Sequence, residues 1–385
     1  MPRLLFVILG ACLLAAACGP GASAPAAPPP SAGASTAAQP AKPSTTGGNS
    51  TTQPPSAGGS SAASSGAPST SGAAASQPAA AELAPMTINV ALPALTAFIW
   101  PFVVLRDGPV GAQEHVAVDW TIVETDARAV QALVGGSVDF AEAALDAVAR
   151  AVDQGGDLVA VGGNINRPPY ALAVRQGVTS YADLKGKKFA VTDLRGGSTV
   201  VLKLLMRANG LQDDDYDLLP LGGTPNRYSA LANGAVDAAI LAQPADFKAQ
   251  DEGYRILGYT TDQDFQFTTY TIRRSWGQQN PDKVQRFLRA MLAAHRWLHD
   301  PANREQAVEL GMAAFRSSRS ETERTWDLYY QQNAGRVQPR NVEINMPGAE
   351  TVIRTLVEQG EIKDASGGVG RYVDEHYLQD AQRGS

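Results

Sequence analysis

ALVGGSVDFA at residues 132–141 returns as ALANGAVDAA at residues 230–239, both reading A-L-x-x-G-x-V-D-x-A and lying 98 residues apart. Each copy has a physical reading. Ala-Leu closes an amphipathic helix, Gly136 or Gly234 stops it, and Val-Asp opens the next strand. Working outward, the first copy is preceded by INVAL (88–92), a helical stretch and VDWTIVE (118–124). The second is preceded by KFAVT (188–192), a helical stretch and YDLLPLG (216–222). A helix (145–153) and LVAVGG (158–163) follow the first copy, and a helix (244–252) and YRILG (254–258) follow the second. The order β-α-β-α-β-α-β therefore occurs twice. Strands rich in Val, Ile, Ala and Leu between helices predict parallel sheets covered on both faces, in an α/β class with two lobes. TTYTIRRSW (268–276) reads as one more strand, followed by helical patterns near 281–299, 303–315, 321–333 and 348–359. Pro281 and Pro301 suit first turns, and Gly360 suits a stop. These helices are expected to pack back on the first lobe. Lobe 1 is then 85–170 plus 268–385 and lobe 2 is 171–267. The chain crosses near 171–174 and near 268–272, and two crossings make a hinge.

The N-terminal part is different material. MPRLLFVILGACLLAAAC (1–18) has a basic residue, Arg3, and an apolar run too short to span a bilayer comfortably, as in a signal peptide. Ala15-Ala16-Ala17-Cys18 resembles a bacterial lipobox, with Cys18 as the lipidated residue. Cys12, after Leu9-Gly10-Ala11, is the other candidate but leaves a very short apolar core. Residues 19–84 form a tether of Ala, Pro, Ser, Gly, Thr and Gln, and residues 19–81 hold a single charge, Lys42. Such a stretch buries too little apolar surface to offset its ordering entropy. As a flexible chain it spans about 45 Å end to end. The two cysteines both lie in the leader, so the remainder has no disulfide, thiol nucleophile or Cys-based metal site. A net charge of −6 without a basic run argues against nucleic acid as a partner.

In parallel α/β sheets, ligands bind outside the carboxyl ends of the strands. That places a cleft among the loops Pro93–Trp100, Glu124–Asp126, Glu142–Leu145 and Asn164–Tyr170 of lobe 1. Lobe 2 adds Asp193–Thr199, Gly222–Arg227 and Leu241–Asp246. The candidate ligand contacts are Thr96, Phe98, Trp100, Thr125, Asn164, Tyr170, Asp193, Arg195, Gly197, Ser198, Thr199, Thr224, Gln243 and Tyr270. Phe98 and Trp100 are large rings in a loop that needs none, which suits a partly apolar ligand or packing under the next helix. Asp193 to Thr199 is glycine-rich and opens a helix. Backbone N–H groups there, with Ser198 or Thr199 as cap and Arg195 beside them, suit an oxyanion, or else form a plain helix cap. Tyr170 and Tyr270 lie at the crossings, to close the cleft or to pack.

No G-x-S-x-G, H-E-x-x-H, P-loop or G-x-G-x-x-G occurs, so neither catalysis nor a cofactor is indicated. His295 and His299 share a helix face but lack a third ligand, and Asp213-Asp214-Asp215 lacks the alternation of a calcium loop. No metal is expected.

The run Tyr181–Val191, YADLKGKKFAV, resembles the segment that opens the second lobe in periplasmic binding proteins of ABC importers. ANGAVDAA (232–239) resembles the G-x-V-D-A segment of the nitrate, sulfonate and taurine subgroup, which takes in thiamine-precursor binders of the NMT1/THI5-like fold. The resemblance covers roughly 86–300. It implies a type II periplasmic-binding-protein fold that closes on a small-molecule solute. Delivery to an ABC permease with its ATPase is implied too, by a monomer held outside the cell membrane through a lipid anchor. It also carries the subgroup's anion-contacting position onto Gly197, Ser198 and Thr199. Two other readings stay open: a pyrimidine-synthesis enzyme of related fold, and a sensor that presents its closed form to a receptor.

Overall fold

The structure, a computed structural model, describes residues 84–363 and 366–383. The leader, Cys18 and tether residues 19–83 lie outside the described residues. Ten strands form: β1 (Met86–Leu92), β2 (Val116–Ile122), β3 (Phe140–Ala144), β4 (Leu158–Ile165), β5 (Ala171–Val174), β6 (Lys188–Val191), β7 (Asp217–Pro220), β8 (Ala238–Leu241), β9 (Arg255–Tyr259) and β10 (Thr268–Arg273). They make two five-stranded sheets, ordered β2-β1-β3-β10-β4 and β7-β6-β8-β5-β9. The repeat is thus structural. Val90 faces Phe140 and Ala91 faces Ala141 in the first sheet, while Phe189 faces Ala238 and Ala190 faces Ala239 in the second. Gly136 and Gly234 end the preceding helices at φ of 76° and 71°, a region open to glycine without steric cost.

The sheets are mixed, not parallel as expected. β10 runs antiparallel between β3 and β4, and β5 runs antiparallel between β8 and β9. β10 follows the second repeat but completes the first sheet, and β5 follows the first repeat but completes the second. The segments read as crossings, 171–174 and 268–272, are therefore interior strands. Ala171–Val174 is buried throughout, which explains its unbroken apolar run. The crossings themselves are 166–170 and 260–267. They are tied together by Thr260 N–H to the Tyr170 carbonyl (2.9 Å) and by an Arg167–Asp264 ion pair (3.2 Å).

The predicted strand 268–276 stops at Arg273, and Arg274–Gln279 is helical. The pattern read over 321–333 divides into an α-helix, Arg319–Trp326, and a π-helical segment, Asp327–Gln332. The last helices pack against elements of the first sheet's side. Pro281–Leu298 packs on Trp100–Asp107 and His376–Arg383, and Met346–Glu358 packs on Leu145–Asp153. Phe140 and Phe287 lie 4.0 Å apart by ring centroid at the centre of this lobe, flanked by Phe102 and Tyr270. Each fully buried aromatic contributes roughly 1.5–3 kcal/mol. Helix Arg319–Trp326 also reaches the second lobe, where Arg324 donates to Asp251 (2.6 Å) and to Gln250.

Candidate ligand site between the two sheets

The carboxyl ends of β1, β2 and β3 face those of β6, β7 and β8 across a narrow cavity of about 30 Å³. Helix Asp126–Val134 is seated by its own first residue, since Asp126 Oδ1 accepts from Ala144 N (2.8 Å). Thr125 caps the same helix by accepting from Arg128 N (3.2 Å). Glu142 reaches the cavity from within β3 and is wholly buried. One of its carboxyl oxygens accepts from Asn164 Nδ2 (3.1 Å) and the other has no partner. Burial pushes Glu142 up to about 7, against the pull of hydrogen bonds from Thr268 and Asn164. Asp126 is pushed up to about 8, first by withdrawal from water and then by the nearby charges of Glu142 and Asp146.

The second lobe answers with a cation. Arg227, in helix Thr224–Ala232, is buried and lines the cavity. It donates to Thr192 Oγ1 and to Thr224 Oγ1 (2.7 Å), while its Nε–H has no partner. Its guanidinium lies 5.7 Å from the Tyr170 ring centre. Burial lowers its affinity for its proton. Three rings form the apolar wall, each edge-to-face with the others: Phe98–Tyr170 5.5 Å, Phe98–Phe267 5.8 Å and Tyr170–Phe267 5.6 Å. Thr96 completes the lining with a buried hydroxyl that also lacks a partner.

Of the residues singled out in the sequence, Thr96, Phe98, Thr125, Tyr170 and Thr224 line this cavity. The others are placed elsewhere. Trp100 is fully buried, donates to the Ala307 carbonyl (3.2 Å) and packs edge-on against Phe315 and Tyr330. Asn164 sits behind Glu142, donating to it and to the Phe98 carbonyl (3.0 Å) and accepting from Tyr270 OH (3.0 Å). Tyr270 in turn meets His295 Nε2 at 2.7 Å. Gln243 is a junction: its side chain donates to Pro169 O (2.7 Å) and Asp246 (2.9 Å), and its carbonyl accepts from Ala97 N (3.1 Å) in the first lobe.

At the glycine-rich turn, Asp193's own carboxylate accepts from the N–H groups of Arg195 (2.8 Å) and Gly196. Ser198 Oγ donates to Thr192 Oγ1 (3.0 Å) and Thr199 Oγ1 to Asp193 O (2.6 Å). The Asp193 carboxylate thus binds the two N–H groups that precede Gly197 in the turn. Arg195 is exposed, and its carbonyl accepts from Arg150 Nη2 (2.5 Å) of the first lobe. Gly197 lies against that lobe so closely that a Cβ would stand 2.7 Å from Asp146 Oδ1 and 2.9 Å from Phe267.

Asp126, Glu142 and Arg227 fall within loops the sequence indicated but were not singled out. Glu142 carried a signal: a lone carboxylate in the buried run FAEAA. Arg227 carried none, because an arginine on a short helix is ordinarily solvated. His295 and His299 hydrogen-bond to the carbonyls of Pro339 (2.6 Å) and Gln338 (3.0 Å). Asp213 pairs with Lys203 and Arg207. Among the described residues no group of three or more His, Cys, Asp or Glu side chains could hold a metal ion, and no helix is long and apolar enough to cross a membrane.

The family described as "NMT1/THI5 like" matches residues 112–304, half of the chain. The chain belongs to the NMT1/THI5-like family. Over 137 residues this NMT1/THI5-like protein is 25% identical to the nitrate/nitrite binding protein NrtA of Nostoc sp., a stretch covering 34% of the chain and 31% of that relative. It therefore spans under a third of the length of the curated relatives it matches. Among solved structures, it resembles the periplasmic nitrate-binding protein NrtA from Synechocystis (TM-score 0.66, 13% identity, 78% of this chain and 89% of that one). It also resembles the alkanesulfonate-binding protein SsuA from Xanthomonas axonopodis pv. citri bound to MOPS (TM-score 0.61, 18% identity, 78% and 99%). These likenesses establish the two-lobed periplasmic-binding-protein fold for the NMT1/THI5-like chain.

Proposed function

We propose that this protein is the solute-binding component of an ABC importer, exported, lipid-anchored at Cys18 and free to move on its N-terminal tether. It takes one small organic solute into the cavity and passes it to a membrane permease. One observation carries the reading. Three buried polar atoms on the cavity wall lack partners: Thr96 Oγ1 and a Glu142 oxygen from one lobe, and Arg227 Nε from the other. Unsatisfied buried groups cost about 1–3 kcal/mol each, so a ligand that satisfies groups of both lobes stabilises the closed form. The contacts would be Thr96, Phe98, Thr125, Asp126, Glu142, Tyr170, Thr224 and Arg227. Asn164, Gln243, Tyr270 and the Asp193–Thr199 turn would hold those contacts in place, and Trp100 would pack the lobe behind them. The crossings 166–170 and 260–267 would serve as the hinge.

Binding fits the site better than catalysis, because the cavity joins a polar pair to an aromatic wall and offers no thiol; both cysteines lie in the leader. The test combines a thermal-shift screen of small acids, amines and amino acids with X-ray scattering of ligand-free and saturated protein. A bound solute is expected to raise the melting temperature and compact the particle. A saturating ligand that leaves the scattering radius unchanged would remove the hinge-closing mechanism.

A further inference from the structure

We infer that the solute is amphoteric: a small organic molecule with an N–H-donating or cationic nitrogen group held by Glu142 and Asp126, and an oxyanion or carbonyl acceptor held by Arg227. This rests on the solute-binding reading of the same cavity and narrows it. Arg227 alone would suit a simple oxyanion. The first lobe opposes one. Glu142 is an acceptor at its unpartnered oxygen when ionised, and no arginine or lysine lines the cavity beside it or beside Asp126. The nearest compensation is spoken for, since Arg150 is engaged by Asp146 (2.5 Å), Glu361 and the Arg195 carbonyl. An inorganic anion has no N–H to offer the unpartnered Glu142 oxygen and meets it as acceptor against acceptor wherever that carboxyl is ionised. A nitrogen group at Glu142 removes that opposition and supplies the missing donor.

The arrangement also divides the ligand between lobes. Glu142 and Asp126 stand on the first sheet's side and Arg227 on the second, so only a molecule with both ends bridges them. The triangle of Phe98, Tyr170 and Phe267 lies alongside and suits an organic body connecting the two ends.

The test uses matched pairs in calorimetry and thermal shift on the folded domain: ethanesulfonate against taurine, propionate against β-alanine, benzoate against 4-aminobenzoate and 4-amidinobenzoate, with nitrate alone. The nitrogen-bearing partner is expected to bind at least 10-fold more tightly. For that ligand, Glu142→Gln is expected to weaken binding about 10- to 100-fold, the scale of a lost charge-assisted hydrogen bond, with circular dichroism unchanged. Nitrate or a nitrogen-free acid binding as tightly as its partner, or Glu142→Gln binding with parent affinity, would overturn the ligand class while solute binding stands. Binding by neither arm to folded protein would overturn both.

Discussion

The two sheets share strand order and register yet differ in chemical character at a matched buried position. Glu142 of β3 and Ile240 of β8 lie 98 residues apart in the repeat. Each faces the interior antiparallel strand of its sheet: Glu142 opposite Tyr270, Ile240 opposite Leu172. Both are wholly buried. One sheet therefore carries a polar core, in which Glu142, Asn164, Tyr270 and His295 hold one another. The other is apolar at that depth, and its polar contribution, Arg227, comes from a helix after β7 instead. The comparison teaches that the duplicated framework needs only small, volume-filling strands there. Chemistry enters where one copy accepts a charge and builds hydrogen bonds behind it to keep it in place.

The largest expected effect comes from erasing that difference in the wrong lobe. Ile240→Glu would put a carboxylate among Leu172 and its neighbours without an Asn164 to meet it. A loss of about 4 kcal/mol or more is expected in denaturant unfolding at pH 8. An unchanged midpoint would mean that the second sheet tolerates charge and that the polar core of the first is incidental.

Glu142→Gln sharpens the comparison from the other side through pH. Below about pH 4.5 the Glu142 carboxyl is protonated both folded and unfolded, and it contributes no pH dependence. As pH rises the unfolded chain ionises first, while the native group holds its proton until about 7. Ligand-free stability therefore falls across that window and stays lower above it, by roughly 3 kcal/mol from this group. The variant should match the parent near pH 4 and exceed it at pH 8, with the remaining slope of the same sign owed to Asp126, Asp146 and Asp246. Parallel stability curves for the two proteins would contradict the assignment.

Smaller effects concern closure. Gly197→Ala brings a methyl group against Asp146 of the opposite lobe and Phe267 of the crossing. Solute affinity should fall about 10-fold, the cost of modest overpacking, with ligand-free melting little changed because an open form relieves the clash. Equal losses in both would place the contact in a fixed interface.

By itself the sequence determined the duplicated βα framework, the helix stops at Gly136 and Gly234, and the loops that face the cleft. These follow from local periodicity and turn chemistry, which neighbouring residues specify among themselves. It also indicated the aromatic wall through Phe98. Only the tertiary structure decided that β5 is an interior strand and that β5 and β10 run antiparallel to their neighbours, because a four-residue apolar run reads alike as connection or as buried strand and strand direction is set by distant partners. It likewise decided that Asp193 folds back onto the Arg195 and Gly196 N–H groups, and that Arg227 is a buried cation in place of a solvated one. Whether a charge meets water or another lobe depends on contacts between residues far apart in the chain, such as Arg227 with Thr192 and Glu142 with Asn164, and local pattern carries no record of them.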